Sequence, residues 1–381
     1  MRISIECAAA KYITFHKEGM EGFTILLQHC NHLCVMVPFC TIIYMNVLFS
    51  VKLINHGPCL TFCSIKLNSA RKKSKTMSAA QLRDAITECL SQTLSDSEEA
   101  QQKALRMLAF ITKVSPQNRS LLAQTDGAIP TFLSLTKSSS PRIQTLSLSI
   151  LFNLSLNPDL KLSLADMETI YRLNSMITSP SSPESSQLAS SLICSLAMLD
   201  KNKAKFGVTG TVQLLVNAIS GQCGPAAHHL LSSLAEIVQF QGNCTLAVRS
   251  GAVPVLLQVV ESSEGEDLAG TSLAILGLLA RFNEGLNALK KTDQIVNSML
   301  KVLKGRCMMS KEGAAEILFR LFDENESCVR DAMKFSDFST VLADLSVRGS
   351  ARARDKAALL MKKIMAEANL NSYMDSHPFF L

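Results

Sequence analysis

A chain of 381 residues is long enough for two or three compact domains or for one elongated array of repeats. Hydrophobic residues make up 47% of it and aromatic residues only 6%, with no tryptophan, which favours helix-on-helix packing over an aromatic β core. The formal net charge of +6 comes entirely from residues 1–76, so the neutral remainder gives no support for nucleic-acid binding, and we expect no nucleic-acid partner.

Residues 1–76 form an atypical hydrophobic and basic extension. The stretch 33–51 is long and apolar enough for a membrane span, and the basic residues after it would place the rest of the chain in the cytosol. Pro38 and Asn46 weaken that interpretation. We expect a poorly ordered extension, or translation that starts at Met77 with Ser78 as a helix N-cap, and we keep a membrane anchor as the alternative.

The twelve cysteines predict reduced thiols. Six lie within the first 63 residues and six are scattered singly through the rest, which is not the pattern of a disulfide framework. We therefore expect a cytoplasmic or nuclear protein. A zinc site in the extension is disfavoured because the usual two-residue spacing of its ligands is missing. The residues concerned are Cys30, His32, Cys34, Cys59 and Cys63.

Beyond the extension, a leucine-rich phrase recurs every 41–43 residues. It reads "SLSILFNLS", "SSLICSLAML", "TSLAILGLLARF" and "AEILFRLF" in four of its copies. An apolar residue follows three positions after the central one in every copy but the last, which indicates one face of a helix. The central residues are Leu108, Leu151, Ile193, Leu234, Leu276, Leu318 and Leu360.

A second phrase marks the start of another helix in each unit. "DGAIPTFLSL" at 126–135 and "SGAVPVLLQV" at 250–259 are three units apart, and related positions keep the same period. Ser140-Pro141 and Ser182-Pro183 predict the start of the longer, leucine-rich helix, because serine caps and proline lacks an amide that would be unpaired there. Each unit is therefore predicted to have a short helix, a middle helix and a long third helix.

These phrases and their period resemble the armadillo repeat over residues 97–365. The wording is closest to the armadillo half of plant U-box/armadillo ubiquitin ligases, as in "ALRMLAFITKVSPQNRSLLAQTDGAIPTFLSL" and "GSARARDKAALLMKKI". The resemblance implies an all-α, right-handed α-solenoid of about seven repeats of ~42 residues over residues 77–365, with a short tail at 366–381. No segment matches the Cys-Pro-Ile or Trp-Leu motifs of a U-box, so we expect no ligase activity of its own.

In armadillo proteins the third helices line a concave groove, and two positions four residues apart face it. The resemblance therefore implies a partner-binding row, in which only Asn153 keeps the amide that pairs with a partner backbone. The absence of tryptophan excludes the ladder of nuclear-import receptors. Solvated helix faces are the plain alternative, and Glu316 and Arg320 are expected to pair with each other. The predicted row comprises Arg106, Phe110, Ser149, Asn153, Ser195, Glu236, Arg320 and Lys362.

A basic patch near the C-terminus has two interpretations. It can receive an acidic or phosphorylated segment. We favour the other interpretation, in which the patch is the polar outer face that a terminal repeat needs for solubility. The patch comprises Arg348, Arg352, Arg354 and Lys356, with Lys362 and Lys363 nearby.

No residues of the repeat region have the spacing of a catalytic or metal site. His228 and His229 are expected to be a surface or packing pair, so we expect neither a cofactor nor a metal. The predicted function is a non-catalytic scaffold for a protein or peptide partner. One alternative is an adaptor or regulator of ubiquitination that works with ubiquitin-ligase components in trans. The other is a membrane-tethered signalling scaffold.

Overall fold

A computed structural model describes residues 78–221, 225–262 and 265–376, and within these ranges the chain folds into α-helices without strands. The helices are α1 (Ala79–Gln92), α2 (Glu98–Val114), α3 (Pro116–Ala123), α4 (Ala128–Leu135), α5 (Pro141–Ser155), α6 (Lys161–Leu164), α7 (Met167–Thr178), α8 (Pro183–Ala197), α9 (Asp200–Val208), α10 (Thr211–Gly221), α11 (Pro225–Ile237), α12 (Gln241–Arg249), α13 (Ala252–Glu261), α14 (Glu266–Leu279), α15 (Asn283–Lys290), α16 (Ile295–Lys304), α17 (Met308–Glu324), α18 (Glu326–Met333), α19 (Phe338–Arg348) and α20 (Ala351–Ser376). A 3₁₀ turn at Pro158–Leu160 precedes α6.

From α3 onward these helices form six consecutive groups of three, as the two phrases predict. Each group has a first helix, a middle helix and a third helix, and α1 and α2 take the places of a middle and a third helix before the first group. The third helices are α2, α5, α8, α11, α14, α17 and α20. The predicted armadillo solenoid is confirmed, and the predicted boundary at 365 falls inside α20, which continues to Ser376.

Two of the middle helices, α4 and α13, begin after a glycine in the left-handed conformation. Gly127 and Gly251 precede α4 and α13 with φ angles of 74° and 82°, a conformation that costs other residues energy. Pro130 and Pro254 then lie in the first turn, where a backbone amide has no intrahelical partner. The Gly-Ala-β-branched-Pro phrase is therefore a helix-start signal.

Serine caps and proline define the start of the long helices. Ser182 accepts a hydrogen bond from the Ser185 amide at 3.1 Å, and Pro183 opens α8. Ser140 precedes Pro141 of α5, but its hydroxyl binds Glu98 Oε1 of α2 at 2.5 Å instead of capping. At the first helix, Ser78 and Gln81 form a reciprocal capping box.

The repeat core is a column of leucine and isoleucine that runs through the stacked units. The seven central residues of the leucine-rich phrase are at most 1% exposed, from Leu108 in α2 to Leu360 in α20. Ile170, Val212 and Phe338 of the middle helices are equally buried. In α4 the predicted Ile129 is only half-buried, because Phe132 fills that place. Stability therefore depends on contacts between units.

No single described helix combines the length and apolar composition needed to cross a membrane. Only α12 and α13 together meet that requirement, and they are bent by 75° relative to each other. The predicted span at 33–51, and the alternative start at Met77, lie outside the described residues.

Candidate protein-binding surface

The position of a residue along a third helix decides which neighbouring element its side chain faces. Successive residues of an α-helix are about 100° apart. The central leucine faces the middle helix of its own unit, and the residue after it faces the next third helix. On α8 that residue is Cys194, whose sulfur lies 3.6 Å from the Ser232 carbonyl of α11. The positions two before and two after the central residue therefore lie opposite the middle helices.

We call this row of positions on the third helices the inner surface. It includes every residue of the predicted partner-binding row. Its members, in order from α2 to α20, are Arg106, Phe110, Ser149, Asn153, Ser191, Ser195, Ser232, Glu236, Ala274, Leu278, Glu316, Arg320, Ala358 and Lys362.

Exposure along the inner surface changes from open to closed and back. On α2, Phe110 is 66% exposed, and the exposed Arg106 donates to Gln102 of its own helix at 2.9 Å. On α8 and α11 all four positions are buried. The two positions on α14 and the two on α17 are half-buried, and those on α20 are exposed. The accessible parts are therefore the two ends.

Asn153 joins α5 to α2. Its side chain is 7% exposed, and its Nδ2 donates to the Ala109 carbonyl at 3.2 Å and to Thr112 Oγ1 at 3.0 Å. The resemblance assigns the Asn153 amide to a partner backbone, but its Nδ2 instead bonds to the adjacent repeat. Ser149, one turn earlier on α5, is half-buried.

Ser195 belongs to a buried cluster between α5, α6 and α8. Its hydroxyl accepts from Ser155 Oγ at 2.8 Å and from Lys161 Nζ at 3.0 Å, and Lys161 also donates to the Ser195 carbonyl. Burial lowers the pKa of Lys161 to about 8, because the charged ammonium loses its water. Nothing in the sequence indicates that Lys161 is buried.

A serine–histidine contact joins α8 to α11. Ser191 Oγ and His229 Nδ1 are 2.9 Å apart, and His229 is 3% exposed. Burial, with the neighbouring His228 adding to it, lowers the pKa of His229 to about 4. His229 therefore packs in the neutral form, and His228 is exposed.

Glu236 forms a buried ion pair with Lys203 of α9. Their side-chain atoms are 3.3 Å apart, and both side chains are at most 6% exposed. Lys203 Nζ also lies 2.8 Å from Asp200 and 3.1 Å from Gln239 Oε1. Burial opposes the charge of Lys203, but Asp200 and Glu236 outweigh it and keep its pKa above the usual value.

At the C-terminal end the inner surface carries a charged network. Arg320 pairs with Glu316 at 2.7 Å, as predicted, and Lys356 of α20 approaches the other oxygen of Glu316 at 2.9 Å. Burial opposes the charge of Glu316, but Lys356 and Arg320 outweigh it and lower its pKa. Lys356 also lies 4.0 Å from the centre of the Phe319 ring, a cation–π contact.

Some cations of the predicted basic patch bind groups within the protein, and others are exposed. Lys356 is used by Glu316, and Arg348 pairs with Asp344 at 3.2 Å. Arg354 donates to the Gly349 carbonyl at 2.9 Å, and Arg352 is exposed. The patch is therefore not one continuous cationic surface.

The buried polar contacts between third helices were missed by sequence reasoning. Serine and asparagine at the inner positions suggested a solvated groove, whereas their partners lie 38–44 residues away on the adjacent third helix. That separation, close to one repeat, is the signal that would have identified them. Among the described residues, no group of three or more His, Cys, Asp or Glu side chains is arranged to hold a metal ion.

Comparison with known proteins identifies relatives of the fold and of the sequence. An engineered protein solved by the Northeast Structural Genomics Consortium has a TM-score of 0.65 at 18% identity, over 74% of this chain and 68% of that chain. A designed armadillo repeat protein in complex with the peptide (KR)4 has a TM-score of 0.57 at 16% identity, over 62% of this chain and 99% of that chain. At these identities the likeness concerns the fold alone.

One curated relative is the U-box domain-containing protein 1 of Medicago truncatula. It is 29% identical over 116 residues, which are 30% of this chain and 17% of that protein. The chain therefore spans only a small part of this relative's length. The model of the plant U-box protein ARM repeat region matches residues 68–380, most of the chain. The chain belongs to the plant U-box protein ARM repeat family.

Proposed function

We propose that the protein is a non-catalytic interaction scaffold that binds a partner segment on its inner surface. The observation that supports this is the distribution of exposure along that surface. Buried hydrogen bonds and an ion pair close its centre, while aromatic, aliphatic and charged side chains remain accessible at its ends. A designed armadillo repeat protein of the same fold was solved with a bound peptide.

The accessible residues suggest how a partner segment is held. At one end Phe110 offers an aromatic contact beside the cation of Arg106. Toward the other end, the half-buried Leu278 offers an apolar contact, and Arg320 and Lys362 offer cations. Glu316 orients the Arg320 guanidinium, since two of its nitrogens contact the same carboxylate oxygen. Such spaced anchors suit an extended segment with apolar and acidic side chains.

The test is affinity capture by the full chain, with bound proteins quantified by mass spectrometry. The groove variant combines Phe110→Ser with Arg320→Ala. A matched control combines Tyr171→Ser with Lys301→Ala, which removes an aromatic residue and a cation that are exposed on the middle helices α7 and α16. We expect a small partner set to drop about ten-fold with the groove variant only. Equal recovery with both variants would refute binding at the inner surface.

An adaptor or regulator of ubiquitination acting with a ligase in trans is the second candidate. Membership of the plant U-box protein ARM repeat family favours it. Ubiquitin-ligase components within the partner set lost by the groove variant would support this role. Purified chain mixed with ubiquitin-activating and ubiquitin-conjugating enzymes is expected to transfer no ubiquitin. Transfer by the chain alone would contradict a non-catalytic scaffold.

The third candidate is a membrane-tethered scaffold, and it depends on the apolar stretch at 33–51. We propose a cytoplasmic or nuclear location, in keeping with the scattered single thiols. Fractionation of cells that express the full chain or residues 77–381 separates the two proposals. Recovery of both forms in the soluble fraction is expected. Carbonate-resistant membrane association of the full chain alone would favour the tether.

A further inference from the structure

The last third helix, α20, has a side on which no described helix packs. In each earlier repeat, the corresponding side of the third helix contacts the next third helix. On α20 this side carries Arg354, Ala358, Met361 and Met365. Their spacing of four, three and four residues makes them one continuous stripe. We call this stripe the end face.

The residue types on the end face differ from those at the same place in the preceding repeat. One 42-residue period earlier, on α17, are Glu316, Phe319 and Asp323. Glu316 and Asp323 bind Lys356 and Lys363 of α20 at 2.9 and 2.7 Å. On α20 the equivalent residues are alanine and two methionines. This side of α20 is therefore apolar where the same side of α17 carries charges.

The end face lines a shallow depression of ≈ 530 Å³. Met365 in it is 63% exposed. A terminal repeat that only ends the array is expected to have a polar outer face. Methionine is instead typical of surfaces that adapt to an apolar partner. The depression is lined by Ser346, Ala358, Met361, Lys362, Met365, Ala366 and Asn369.

Cations border this apolar depression without matching anions. Among the described residues, no carboxylate lies within ion-pair distance of Arg354, which belongs to the end face, or of Lys362, which lines the depression. Lys356 and Lys363 on the opposite side of the same helix are both paired. The end face therefore combines an apolar centre with a positive border.

We propose that the end face binds an acidic amphipathic helix of a partner protein, which stacks on α20 in the place of a further third helix. Its apolar residues contact Met361 and Met365, and its acidic residues contact Arg354 and Lys362. The inference rests on the proposed function only in treating the solenoid as a protein-binding module. It concerns the side of α20 that faces away from α17, which shares Ala358 and Lys362 with the inner surface.

A second copy of the chain fits the end face less well. A second copy that stacked head to tail would present the exposed apolar residues on α2, which are Met107, Phe110 and Val114. Exposed Lys103 and Arg106 flank them, so cations would meet cations.

The test uses a synthetic helical peptide of about 18 residues with leucine at heptad a and d positions and glutamate on its flanks. Its binding to the full chain is measured by fluorescence anisotropy, beside an analogue in which lysine replaces each glutamate. We expect the glutamate peptide to bind at least about ten-fold more tightly than the lysine analogue. Equal binding of both peptides, or no binding of either, would overturn the proposal.

Variants then locate the binding site. Met361→Glu with Met365→Glu, and separately Arg354→Glu, should each weaken binding about ten-fold or more. Met107→Glu, which changes another exposed methionine at the other end, should have no effect, and neither should Arg320→Ala on the inner surface. Circular dichroism checks that each variant is folded. Unchanged binding by the folded methionine variant and by Arg354→Glu would refute the end face as the site.

Two further outcomes would assign the face to another occupant and overturn the proposal. One is self-association in sedimentation that Met361→Glu with Met365→Glu abolishes. The other is about ten-fold tighter peptide binding after truncation at Ser376. The two proposals are tested separately. If the groove variant loses captured partners but binds the peptide as before, the inner surface and the end face bind different partners.

Discussion

Several polar side chains buried between α2 and α11 bind a partner on the adjacent repeat. Asn153, Ser191 and Ser195 bind groups 38–44 residues away, so each links neighbouring units. A buried polar group costs stability unless it is hydrogen-bonded. Once bonded, it fixes the register in which two third helices stack. These residues therefore specify the stacking of repeats.

Replacing Asn153 should destabilise the fold. Asn153→Ala removes two hydrogen bonds to α2, and we expect the free energy of unfolding to fall by about 1–2 kcal/mol. Ser149→Ala, one turn away on the same helix and half-buried, should change it by less than about 0.5 kcal/mol. Urea unfolding followed by circular dichroism measures both. Equal effects would show that the Asn153 bonds contribute nothing net.

His229 should make stability depend on pH under mildly acidic conditions. Its folded pKa, about 4, lies below the usual value of 6.5, so the unfolded chain binds more protons between these values. Stability is expected to fall as pH drops from 6.5 to 4. Each pKa unit corresponds to about 1.4 kcal/mol, which gives a loss of up to about 3 kcal/mol.

The measurement is the free energy of unfolding at several pH values for wild type and His229→Gln. The variant should have a flatter profile between pH 6.5 and 4, because glutamine does not titrate. The exposed His228→Gln is the matched control and should keep nearly the wild-type slope. If His229→Gln has the same profile as wild type, the histidine is not the source of the acid sensitivity.

At the scale of helices, a left-handed glycine lies at the start of the middle helix α13. Gly251 has φ 82°, and a β-carbon there would meet no atom within 4 Å, so the cost of substitution is conformational. We expect Gly251→Ala to lower the free energy of unfolding by about 1 kcal/mol. At Gly221, which has no positive φ and equally open space, alanine should be neutral or slightly stabilising.

Thermal unfolding compares the two glycine variants. A lower melting temperature for Gly251→Ala alone would support the left-handed requirement of the Gly-Ala-β-branched-Pro phrase. The same change in both variants would indicate that the phrase acts through some other property. The two alanine variants therefore test whether the left-handed φ angle at this phrase is needed for stability.

Prediction from sequence succeeded for helices because their signals are local. The glycine turn before α13 and the Ser182-Pro183 cap of α8 each act within a few residues. Exposure of the inner surface depends instead on how closely two third helices approach. Small serines on α8 and α11 allow close packing and bury these positions, whereas Phe110 on α2 is left open. The repeat period in the sequence does not give the distance between two third helices.

At the scale of the molecule, each repeat contacts mainly its neighbours, so stability should be distributed unevenly along the solenoid. Leu234 in α11 and Leu360 in α20 are the same residue at the same place in two repeats, and both are at most 1% exposed. Leucine to alanine in such a position costs about 2–5 kcal/mol. The local cost is similar, but its reach along the array should differ.

Hydrogen exchange followed by mass spectrometry measures that reach. Leu234→Ala lies between repeats on both sides, so exchange should rise in α8, α11 and α14 together. Leu360→Ala has a described neighbour on one side only, so exchange should rise in α19 and α20 while α2 to α14 keep their protection. Uniform acceleration along the chain in both variants would instead mean that the solenoid unfolds as a single cooperative unit. In that case binding at the end face would stabilise every repeat, whereas local unfolding would confine its effect to the last ones.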